Sequence, residues 1–197
     1  MKHKRFRPLA RQKGVILLIT LMAMVILLIS SIALLRSFDT SLLLSGSMAF
    51  KRDLVNQGER GITQAITDFN SGVLSADSVR QADLKSVNYS ATILSSNSHG
   101  IPQVLLGTAK FTAAGMSGSD ITDSSTGVTI RTVIDRQCSV SGEFSTSTCV
   151  TVPGYSDSGG TNWLKKAGAE YVPVYRISVR VDGPRNTQVF LQTTLAR

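Results

Sequence analysis

Twenty-one consecutive residues, Val15 to Leu35 (VILLITLMAMVILLISSIALL), contain no charge, glycine or proline, and only Thr20, Ser30 and Ser31 carry a hydroxyl. As a helix this run spans about 30 Å, the thickness of a bilayer's hydrocarbon core. A cleavable secretory signal has a shorter apolar core, about 7–15 residues, followed closely by a small-residue cut site. Here the nearest such site, Ser47-Met48-Ala49, lies far beyond the run. The segment therefore predicts a membrane-spanning helix that stays in the mature protein. In a chain of 197 residues it leaves room for one modest globular domain.

The formal net charge of +8 suggests an acidic partner until its position is considered. Lys2, Lys4, Arg5, Arg7, Arg11 and Lys13 precede the apolar run with no acid among them, so the tail supplies most of the excess. By the positive-inside rule this tail is cytoplasmic and the C-terminal bulk is exported. Cys138 and Cys149 fall in the exported part, where an oxidising compartment permits a disulfide, and two cysteines allow only one intrachain pairing. A metal site is not expected, because the only histidines are His3 in the tail and His99 in a Ser/Asn-rich stretch.

The leader ends Arg11-Gln12-Lys13-Gly14 and passes directly into the apolar run. This junction resembles the class III signal of type IV pilins. The resemblance implies cleavage by prepilin peptidase between Gly14 and Val15, and N-methylation of Val15. Pilins mostly carry a glutamate at the fifth position after the cut, where this chain has Ile19. A carboxylate in the bilayer costs about 2.5–3.5 kcal/mol on insertion scales, so its presence or absence is informative. Within the family its absence points to minor subunits near the fibre tip. The stretch from Arg36 to Phe69 is similar to the N-terminal region of PilX-type minor pilins, with Ser45-Gly46-Ser47-Met48, Arg52-Asp53 and Gly58-Glu59 in the corresponding places. The C-terminal YRISVRVDGPRNTQVFLQTTLA also resembles that family's closing hairpin. The resemblance implies a PilX-like minor pilin that primes or supports pilus assembly in a tip complex. Its partners would be other minor pilins and the major pilin through the N-terminal helix, the inner-membrane assembly platform and a tip adhesin.

The expected organisation is a basic leader at 1–14, a transmembrane segment at 15–35, an amphipathic periplasmic helix at 36–70 and a β-rich head at 71–197. In the second helical segment Leu54, Val55, Ile62, Ala65, Ile66 and Phe69 recur at three- and four-residue intervals, while Gly46, Gly58 and Gly61 weaken it, with bending or melting expected near Gly46. Asn70-Ser71-Gly72 is a stop signal. Asn88–Leu94 and Lys110–Ala113 read as strands. Val128–Asp135 alternates like a half-buried strand. Tyr175, Ile177, Val179 and Val181 share one face of a further strand, with Arg176, Ser178 and Arg180 on a solvated face. Asp182–Asn186 is turn chemistry, and Val189, Leu191 and Leu195 continue the pattern in a closing antiparallel strand. Residues 117–127 and 151–161 read as exposed loops. Asp120 and Asp123 lie in the first, without the series of acids that a calcium loop requires. The fold class is thus α+β, a long N-terminal helix against a C-terminal antiparallel sheet.

No catalytic constellation is apparent. Neither histidine sits in a nucleophile-activating pattern, and no phosphate-binding or metalloprotease motif occurs. An enzyme, a cofactor and nucleic-acid binding are not expected; Arg131, Arg136, Lys165, Lys166, Arg176, Arg180, Arg185 and Arg197 read as a solvated basic surface. The alternatives are a minor pseudopilin of type II secretion and, from another class, a signal-anchored periplasmic enzyme or binding protein.

Overall fold

A computed structural model describes residues 14–154 and 171–197. Leader residues 1–13, Lys165, Lys166 and the end of the second expected loop lie outside the described residues. Contacts divide the chain into two compact units, Met1–Ala49 and Phe50–Arg197. The fold is α+β, as the residue pattern predicts.

Helix α1 runs from Val15 to Asn70 without an assigned interruption, Gly46 included. A single glycine costs about 1 kcal/mol in a helix. Here it is flanked by helix formers such as Leu42, Leu43, Leu44, Met48 and Ala49, and the helix carries through. At the C-terminal end the Ser71 and Gly72 N–H groups bond to the Thr67 carbonyl, and Leu74 N–H bonds to Asp68 O at 3.0 Å. Arg197 donates to Phe69 O and Asn70 Oδ1, placing a cation where the helix dipole favours one.

In the second unit a mixed sheet packs against the last five turns of α1. Its strands are β1 (Tyr89–Ser90), β2 (Ile121–Asp123), β3 (Val128–Arg136), β4 (Thr151–Pro153), β5 (Tyr171–Gly183) and β6 (Thr187–Ala196). β5 lies between β3 and β6, antiparallel to both. β1 adds to β3 in parallel, and β2 in antiparallel sense. β4 pairs with the start of β5 on the same side as β3, because Val150 N bonds to Gln137 O and Val174 N bonds to Val150 O. The expected closing hairpin is present, with Val181 opposite Val189, Val179 opposite Leu191 and Tyr175 opposite Leu195. Its turn uses left-handed backbone at Arg185 and Asn186.

The buried stripe of α1 is Leu54, Gly58, Gly61, Ala65 and Phe69, at intervals of four, three, four and four residues. Val55 and Ile66, assigned to the stripe from sequence, are exposed. The two glycines read as weak points are instead the seam. A Cβ on Gly61 would stand 2.6 Å from Thr132 Oγ1 and 3.0 Å from Ile130 Cγ2; one on Gly58 would stand 2.6 Å from Leu191 Cδ1. Leu54 lies against Gly183, and the Phe69 ring is 4.7 Å from that of Tyr175, so the helix runs antiparallel to β5. Fifteen helical residues and eight strand residues cover nearly the same distance, about 22 and about 26 Å. Phe69, Leu74, Tyr89, Ile130, Ile134, Ile177, Val179 and Val181 fill this side of the sheet.

The opposite face of the sheet is covered as well, which corrects the expectation of a solvated surface. A second cluster of Leu105, Phe111, Met116 and Val133 packs there, with Leu94, Ile101 and Phe190 at its margin. Two expected strands take other forms. Asn88–Leu94 contributes only the two residues of β1. Lys110–Ala113 belongs to helix α2 (Thr108–Ala113), which Gly115 closes in the left-handed region at φ +72° with its N–H on Thr112 O. Four residues with one large apolar side chain, Phe111, fit one buried helical position as well as a strand. The first expected loop also contains β2.

Candidate functional site

The N-terminal part of α1 has the chemistry of a membrane segment. It is the one helix among the described residues that is long and apolar enough to cross a bilayer, consistent with single-pass anchoring. Every large apolar residue from Val15 to Leu35 is exposed. The three hydroxyls return to their own helix: Thr20 donates to Leu17 O at 3.0 Å, Ser30 to Ile26 O and Ser31 to Leu27 O, both at 2.8 Å. The side-chain polar groups of the run are thereby satisfied without water or a neighbour, as a lipid environment demands.

The helix starts at Val15, the residue after the expected cut. Gly14 adopts φ +51°, and nothing lies within 4 Å of where its Cβ would be. Among the described residues the glycine therefore serves the backbone turn into the helix and packs against nothing. Leu17 N–H bonds to Gly14 O at 3.2 Å. The first turn contains no acid to offset the helix dipole, and Ile19 is 59% exposed. A carboxylate at position 19 would have no cation of this chain's described residues beside it.

In the second unit, Cys138 and Cys149 form the expected disulfide across an isolated antiparallel bridge. The hairpin between them has a second anchor that sequence reading missed. Arg136, 2% exposed, donates from Nη2 to Gly142 O at 2.8 Å and from Nε to Ala91 O at 3.0 Å, while Gly142 N–H bonds to Gln81 O at 2.7 Å. Replacing both cysteines with serine is expected to lower unfolding stability by about 3 kcal/mol, the loop-entropy value for so short a ring. Urea unfolding of the detergent-solubilised chain measures this; an unchanged midpoint would mean that the Arg136 contacts alone restrain the loop.

Arg176 and Arg180, expected on a solvated face, are engaged. Arg176 pairs with the fully buried Asp135 through two bonds, Nε to Oδ1 at 2.8 Å and Nη2 to Oδ2 at 2.7 Å. Arg180 bonds to Asp182 and to Leu105 O. Asp120 and Asp123 are separately occupied. Asp120 accepts from Arg131, and this bond raises the guanidinium's pKa further. The Asp123 carboxyl is held below its usual range by the Ser125 hydroxyl and N–H.

No family model, curated protein or solved structure matches the chain.

Proposed function

We propose that this chain is a minor subunit of a type IV pilus or related fibre, anchored in the inner membrane with its C-terminal unit in the periplasm before assembly. The observation that supports this most is the single helix Val15–Asn70, which begins directly after Gly14, is apolar on all sides in its first part and carries a glycine seam against a sheet in its last. An ordinary signal anchor needs the apolar first part alone, behind basic residues. In this reading prepilin peptidase cuts between Gly14 and Val15 and Val15 is N-methylated. The apolar segment stores the subunit in the bilayer and then joins the fibre core. An assembly platform drives extraction, and the other minor pilins, the major pilin and a tip adhesin are its contacts.

Ile19 makes it a tip-proximal subunit, since it lacks the carboxylate that would pair with a neighbour's terminal amine. Ile19→Glu is therefore expected to increase its incorporation along the shaft several-fold, the scale set by one charge contact worth about 1–2 kcal/mol. Quantitative immunoblotting of sheared fibres measures this, and equal incorporation of both forms would contradict the tip assignment. Deletion of the gene is expected to reduce surface pili; loss of secreted enzymes with normal pili would instead favour a type II secretion pseudopilin.

A further inference from the structure

The two sides of the sheet end differently. Beyond β3 the border is divided among the short strands β1 and β2, two and three residues long. On the other side stands β6, ten residues paired with β5 along its whole length. Its second edge makes no backbone hydrogen bond to any described residue. Alternate residues of such an edge turn N–H and C=O groups outward. Natural edge strands are guarded by lysine, proline, bulges or shortness, and TQVFLQTTLA has none of these.

We infer that the β6 edge is a docking site for an extended strand donated by another protein, one with apolar residues at alternate positions and acids at its ends. Two observations choose this occupant. Val189, Leu191 and Leu195 are only partly buried on the face shared with α1, so an added strand with alternating apolar side chains would extend that layer. The strand is also bracketed by two exposed cations, Arg185 and Arg197, with no acid between them. A second copy of β6 is disfavoured by the same charges. Antiparallel pairing about the strand centre sets Arg185 of one copy beside Arg197 of the other, and in-register parallel pairing opposes each arginine to itself. This inference does not depend on the chain being a fibre subunit.

The test is hydrogen exchange on the full chain in detergent micelles, with and without a synthetic peptide of alternating valine and threonine flanked by aspartates. In the free protein the outward amides of β6 should exchange rapidly while those bonded to β5 stay protected. The peptide at about ten times its Kd should slow the outward set about tenfold. The same peptide flanked by lysines should bind more weakly, and Arg185→Glu, which leaves Arg197 as the one bracketing cation, should abolish that preference. Arg185 lies in the exposed turn, so this variant leaves the core intact. Outward amides already protected in the free monomer, β6 protection through self-association, or equal slowing by both peptides would each overturn the proposal.

Discussion

Replacing Asp135 with alanine is expected to destabilise the C-terminal unit by about 3–5 kcal/mol, a large share of the roughly 5–15 kcal/mol that holds a domain of this size together. The carboxylate is fully buried and accepts four bonds that join three parts of the fold. Two come from Arg176 on β5, one from Gln137 Nε2 at 2.8 Å and one from Leu94 N–H at 3.0 Å. Arg176 meanwhile holds Ser96 Oγ and Leu94 O, both at 2.9 Å, so the pair fastens the covering segment to the second face of the sheet. Alanine would strand a guanidinium whose side chain is 11% exposed. The double variant Asp135→Ala/Arg176→Met should recover much of the loss, because it removes the stranded charge while keeping apolar volume. Denaturant unfolding of the wild-type chain and the two variants measures this. A double variant as unstable as Asp135→Ala would show that the bonds from Leu94 N–H and Gln137 Nε2 to the carboxylate, and not the ion pair, dominate.

Gly61→Val should have an effect of similar direction, about 1–3 kcal/mol of overpacking or more. The new Cβ meets Thr132 Oγ1, Ile130 Cγ2 and Val179 Cγ1 within 3.1 Å, and these belong to β3 and β5, paired strands with little room to retreat. Gly61→Ala isolates the competition. Helix propensity favours alanine by about 1 kcal/mol, and the close contact opposes it. Nothing lies within 4 Å of the same position at Gly46. Gly46→Ala should therefore leave unfolding of the C-terminal unit unchanged while Gly61→Ala lowers its midpoint. Equal behaviour of the two would contradict the glycine seam.

The long apolar helix, the disulfide and the closing hairpin were legible because each is carried by local pattern: an uncharged run, one possible cysteine pairing, and alternation around a turn. What escaped depended on contacts distant in sequence. Gly58 and Gly61 look alike in any helix until β3, β5 and β6 arrive beneath them. Arg176, Ser178 and Arg180 alternate as a solvated face would. The segment from Leu94 to Met116, itself without a clear period, covers them. Arg80 is a similar case. It sits on a short helical turn between buried aromatic rings, within 6 Å of both Phe69 and Tyr175, and bonds to the Tyr175 hydroxyl and the carbonyls of Leu74 and Ser75. Its sequence neighbours, Val79 and Gln81, give no sign of that burial.

The central claim rests on the Gly14–Val15 junction, and mass spectrometry of the N-terminus of the chain extracted from membranes tests it most directly. Processing as a pilin-like subunit predicts a mature chain that begins at N-methylated Val15, with residues 1–14 removed. An intact N-terminus at Met1, or a cut near Ala49, would contradict it.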